Sequence, residues 1–75
     1  MTVIYNRIKL LRIAKGLSRQ ALANLVCVNV QTIGYLERQA YNPSLWLAFK
    51  LAGALGVPID KLFSMDPFKD LSDSL

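Results

Sequence analysis

Residues 17–45 read LSRQALANLVCVNVQTIGYLERQAYNPSL, and this stretch decides the fold. Ser18 is placed as an N-cap for a helix over residues 19–26. Its hydroxyl oxygen can accept from backbone N–H groups that a first helical turn leaves unpartnered. Leu22, Ala23 and Val26 form the apolar side of that helix. Ala23 is small at the point where a crossing helix must approach closely. Cys27-Val28 makes a tight turn, and Asn29 caps a second helix over residues 30–38. Ile33, Leu36 and Glu37 share its buried face. Gln31, Thr32, Tyr35 and Arg38 lie roughly opposite, with Val30 near the start. Tyr41-Asn42-Pro43 leaves in extended form, because proline steers its predecessor away from the helical region. A helix braced from behind by another, presenting short polar groups outward, is built to press into a DNA major groove.

The flanks add three more helices. Ile4, Ile8 and Leu11 recur at helical spacing, predicting a helix over residues 5–15 that Gly16 terminates. Ser44 caps a helix over residues 45–55 with Leu45, Ala48, Leu51, Ala52 and Leu55 inward, ended by Gly56. Pro58 opens a short fifth helix with Leu62 and Phe63 packing inward. The expected fold is all-α, a compact bundle of five helices. Residues 1–63 are expected to form one domain, and residues 64–75 an acidic tail available to a dimer interface.

Composition narrows the function. The chain has 75 residues, one domain's worth, and 53% of them are hydrophobic. That excess implies either a dense Leu/Ala core or a face covered by a second subunit. The apolar runs are broken by Lys50, Gly53 and Gly56, well short of the ~20 residues a spanning helix needs. The N-terminus carries no signal-peptide pattern, so the expected compartment is the cytoplasm. With one cysteine and no histidine, an internal disulfide is excluded, and neither a zinc site nor any cofactor is expected. Ser18 and Ser44 have no base nearby and are caps rather than nucleophiles, so an enzyme is not expected. Residues 1–44 hold Arg7, Lys9, Arg12, Lys15, Arg19 and Arg38 against Glu37 alone, whereas Asp66, Asp70 and Asp73 outnumber Lys69 in the tail. The basic end coincides with the helix pair, which suits a polyanion; the alternative is an ordinary solvated basic face.

Arg12, Gly16-Leu17-Ser18, Leu22-Ala23, Val28, Gln31-Thr32-Ile33, Glu37, Asn42-Pro43-Ser44-Leu45 and Leu55-Gly56-Val57 occur together at a joint spacing. Over residues 5–63 the chain thereby resembles the repressor/Cro-type (Xre-like, lambda-repressor-like) helix-turn-helix domain. The resemblance implies a sequence-specific regulator of transcription that binds double-stranded DNA as a homodimer, as a repressor on a palindromic operator. It implies base reading by Asn29, Val30, Gln31 and Thr32, with Tyr35 one turn deeper. Arg19, Arg38, Gln39 and Asn42 would meet phosphates, and Arg12 would bridge Glu37 as a structural ion pair. Gln can pair with both edge atoms of adenine, and Val and Thr methyls can meet the thymine methyl. Phe63, Met65, Phe68 and Leu71 are the candidate dimer contacts.

Departures from the family pattern are specific. Cys27 stands where the family has a left-handed glycine, so either the turn is altered or Cys27 bears strain. Cys27 is read as a packed small hydrophobe in preference to a redox sensor. Arg38-Gln39-Ala40 replaces a common Asn-Gly-Lys, and Gly34 interrupts the recognition helix. Trp46 reads either as packed on Tyr5 or the tail, or as a contact to a dimer partner or to the phosphate backbone. The competing function is a protein-interaction module, such as an antitoxin or anti-repressor.

Overall fold

A computed structural model describes residues 4–68. Its elements are β1 (Tyr5–Asn6), α1 (Ile8–Ala14), α2 (Arg19–Val26), α3 (Val30–Glu37), α4 (Leu45–Leu55), α5 (Ile59–Leu62) and β2 (Phe63–Ser64). The all-α reading holds, with one small addition. Tyr5 pairs with Ser64 and Asn6 with Phe63 in an antiparallel strand pair. The predicted helix over 5–15 therefore loses its first turn. Residues 5 and 6 spend their backbone groups on a distant segment, and Asn6 Oδ1 accepts from Ile8 N at 3.1 Å to start α1 instead. Strand β2 runs one residue past position 63.

The caps explain the other boundaries. Ser18 Oγ accepts from Ala21 N at 3.0 Å, Asn29 Oδ1 from Gln31 N at 2.8 Å, and Ser44 Oγ from Leu47 N at 3.1 Å. Each satisfies a donor the first helical turn cannot, worth about 1 kcal/mol. The C-terminal ends share one device. After α1, α2, α3 and α4 the chain turns left-handed at Gly16, Cys27, Gln39 and Gly56, with φ of 72°, 60°, 58° and 71°. Behind these turns Leu17 N donates to Arg12 O, Val28 N to Ala23 O, Ala40 N to Tyr35 O, and Val57 N to Ala52 O. This is the Schellman pattern that satisfies orphan carbonyls. The Cys27 turn is thus unaltered and Cys27 bears the strain. The thiol is exposed rather than packed, because at this position the chain has already turned away from the core.

Ile8, Leu22, Ala23, Val26, Ile33, Leu36, Leu51 and Leu62 are fully buried, joined by Leu47, Ala52 and Leu55. Each buried Leu or Ile is worth roughly 1.5–3 kcal/mol over an exposed one, so this one core holds all five helices. Leu45 is a correction: it is 71% exposed, and Leu47 takes the inward place. Position 45 opens the helix at the surface, where Leu45 borders an open groove with Ile59 and Phe63 and is not covered by them. Phe63 is half-buried against the core.

Candidate nucleic-acid interface

The candidate surface is assembled on α3. Ile33 and Leu36 anchor its inner face, which leaves Gln31, Tyr35 and Arg38 exposed and Val30 and Thr32 half-buried. Packing α2 against α3 creates a shallow cleft of about 330 Å³ lined by Arg19, Val30, Gln31, Gly34, Tyr35 and Arg38. Polar amide, phenol and guanidinium groups here surround one valine. The chemistry can donate and accept hydrogen bonds and neutralise an anion at once.

A buried carboxylate fixes this face. The Glu37 side chain is only 3% exposed and accepts from Arg12 Nε at 2.7 Å and Arg19 Nε at 2.9 Å. Arg12 is itself buried, and its Nη1 donates to Leu17 O at 2.9 Å. Among the described residues no buried side-chain nitrogen or oxygen lacks a partner. The cluster ties α1 and the start of α2 to the end of α3. Removing Glu37 alone would strand a buried guanidinium, the case in which a buried ion pair matters most.

The sequence-derived residues are distributed as follows. Val30, Gln31, Tyr35, Arg19 and Arg38 meet in the cleft, while Asn29 and Thr32 lie outside its lining. Asn29 Oδ1 is engaged as the cap. Arg19 is half exposed and also paired to Glu37, a link not anticipated. Gln39 carries the left-handed turn. Asn42 Oδ1 accepts from Ile4 N at 3.0 Å, joining the α3–α4 loop to the N-terminal segment. Of the dimer candidates, Met65 is exposed, Phe63 lines an apolar groove, and Phe68 sits 4.3 Å from the Arg7 guanidinium carbon; Leu71 lies outside the described residues. Trp46 is 60% exposed, with Lys50 Nζ 5.6 Å from its ring centroid.

One structural residue escaped the sequence reading. Asn6 Nδ2 donates to Leu36 O at 2.8 Å while its Oδ1 serves α1. It therefore ties the last turn of α3 to the N-terminal segment. No local pattern marks it, because its partner lies thirty positions away.

Comparison with known proteins agrees with this geometry. The helix-turn-helix family HTH_3 matches over residues 8–62. An uncharacterised HTH-type transcriptional regulator of Archaeoglobus fulgidus is 42% identical over 60 residues, covering 80% of this chain and 86% of the relative. One from Bacillus subtilis is 34% identical over 61 residues, covering 81% and 92%. Among solved structures, the restriction-modification controller protein C.AhdI from Aeromonas hydrophila is similar with a TM-score of 0.70 and 40% identity, over 73% of this chain and 83% of that one. A putative DNA-binding protein from Bacteroides fragilis gives a TM-score of 0.74 at 28% identity, over 81% and 98%. The cleft on α3, the carboxylate behind it and these relatives agree: the chain belongs to the Xre/lambda-repressor-like helix-turn-helix family of DNA-binding transcriptional regulators.

Proposed function

We propose that this protein is a repressor that binds a palindromic operator in double-stranded DNA as a homodimer. The observation that carries the reading is the cleft on α3, in which the exposed Gln31 and Tyr35 and the half-buried Val30 lie beside two guanidinium groups. In this reading Asn29, Val30, Gln31, Thr32 and Tyr35 meet base edges, while Arg19, Gln39 and Asn42 flank them at phosphates. Phosphate contacts fix register and base contacts give sequence. The excess of cations over residues 1–44 supports a polyanion partner. No helix among the described residues is long and apolar enough to cross a membrane, in keeping with a cytoplasmic regulator.

The homodimer is supported by apolar surface away from the cleft. Leu45, Phe49 and Met65 are each more than half exposed. Leu45 borders a groove of about 260 Å³ lined otherwise by Ile4, Pro43, Ala48, Ile59 and Phe63. A homodimer reading two half-sites on successive major grooves needs its recognition helices ~34 Å apart. The similarity to a restriction-modification controller makes control of such a gene set one candidate role.

Selection of bound fragments from random duplex DNA tests the whole reading. An inverted repeat is expected, and a single unrepeated half-site would remove the dimer. Failure to retain any duplex at low salt would favour the protein-interaction role instead, since counterion release makes DNA binding strongest there. Gln31→Ala should lower discrimination between the selected site and random DNA by roughly 1–3 kcal/mol. An unchanged ratio removes Gln31 from the reading set.

A further inference from the structure

Gly34 stands in the middle of the recognition helix, where glycine is among the poorest residues. Its backbone is helical, not left-handed, so conformational freedom does not account for it. What lies against it does. A Cβ at position 34 would sit 3.3 Å from Arg38 Nη1 and closer than 4 Å to no other neighbouring group. Arg38 follows Gly34 by four residues and so shares its face. The Arg38 guanidinium carbon also lies 5.1 Å from the Tyr35 ring centroid, within cation–π range. Gly34 is consequently buried although it faces the open cleft, because Arg38 covers it.

This arrangement moves a charge. An arginine that follows the last turn of a recognition helix would ordinarily reach outward to the phosphate backbone. Here it folds back one turn, toward the end of α3 that carries Gln31, and is seated between the bare Cα of Gly34 and the Tyr35 ring. A guanidinium held within reach of Gly34 and the Tyr35 ring brings a planar fork of donors to that face of the helix. We propose that Gly34 is a positioning residue that seats Arg38 on the recognition helix and makes Arg38 a reader of a guanine edge, through its O6 and N7 acceptors. The proposal rests on the DNA-reading function above and adds a specificity determinant to it.

The test compares wild-type protein with Arg38→Ala, Arg38→Lys, Gly34→Ala and Gly34→Leu. Each is titrated against the selected duplex and against duplexes altered one base pair at a time, with thermal melting as the folding check. Arg38→Ala and Arg38→Lys should each lose roughly 10- to 100-fold of the preference for guanine at one position, because neither keeps the fork. Gly34→Leu should lose the same preference with Arg38 still present, and adding Arg38→Ala to it should cost little more. Gly34→Ala needs only a few tenths of an ångström from the flexible end of Arg38 and should retain the preference. A Gly34→Leu protein that is folded and keeps the guanine preference overturns the proposal. So does an Arg38→Ala protein weakened alike on every duplex, with a salt slope shallower by about 1, which is the signature of a phosphate contact. If Gly34→Leu does not fold, the Arg38→Lys comparison decides alone, and retained preference there also overturns it. Wild-type protein that retains no duplex at low salt fails earlier and refutes the DNA-reading function itself.

Discussion

Cys27 and Gln39 bracket α3 with left-handed backbone that costs an L-residue about 1–2 kcal/mol, whereas Gly16 and Gly56 do the same work without a side chain. The shared hydrogen-bond pattern at all four turns shows that the fold imposes the conformation and the residue tolerates it. Cys27→Gly and Gln39→Gly should therefore each stabilise the protein by about 1 kcal/mol, less the chain entropy glycine adds to the unfolded state. For a domain of this size that is a rise in melting temperature of about 4–8 °C per kcal/mol. Circular dichroism melts of the two variants and their combination check this, and a lower melting temperature for either would show that its side chain contributes something the turn geometry does not reveal. Glycine marked the ends of α1 and α4 in the sequence. The ends of α2 and α3 lacked that mark and were legible only from the spacing of caps and apolar positions around them.

At the scale of elements, α2 and α4 begin and end where the sequence predicts, because Ser18 and Ser44 announce their starts chemically. The α3 helix closes one residue early, at Glu37. The first turn of the predicted α1 was illegible, since what displaces it is a pairing with residues 63 and 64 that no neighbouring residue encodes. Leu45 misled for a related reason: its spacing fits the inner stripe of α4, but burial depends on whether another element covers that end. In the candidate site, the outward face of α3 and the Arg12–Glu37 bridge were legible, while the second arginine on Glu37 and the Asn6 link to α3 were not. Asn6 joins three elements, α1, α3 and the strand pair. Asn6→Ala should destabilise by about 1–3 kcal/mol, because it removes the acceptor for Ile8 N and leaves the Leu36 carbonyl without that donor. Asn6→Asp keeps the acceptor for Ile8 N but turns a second carboxylate oxygen toward the Leu36 carbonyl, so its melting temperature should fall at least as far as that of Asn6→Ala. A smaller loss for Asn6→Asp would assign most of the effect to the bond that starts α1.

At the scale of the whole molecule, charge and grease are separated. The cleft on α3 carries guanidinium groups, and the outer face of α4 carries Leu45, Trp46 and Phe49. A large exposed apolar face on a small domain marks an interaction site. On the proposed homodimer, Phe49→Glu, which changes an exposed side chain outside the cleft, should leave the fold intact and shift sedimentation from dimer to monomer. Binding to a two-half-site operator should weaken in parallel, while binding to one half-site should change little. A Phe49→Glu protein that still sediments as a dimer would place the interface elsewhere.

The β1–β2 pair sets Tyr5 beside Ser64 and Asn6 beside Phe63, almost sixty positions apart along the chain. Topologically this closes the body of the protein into a ring. Polypeptide continuing before residue 5 and polypeptide continuing after residue 64 leave from adjacent points on one edge. A second module joined at either position would hang from the same attachment point, so swapping a fusion partner from one side to the other should leave its reach from the recognition helix nearly unchanged.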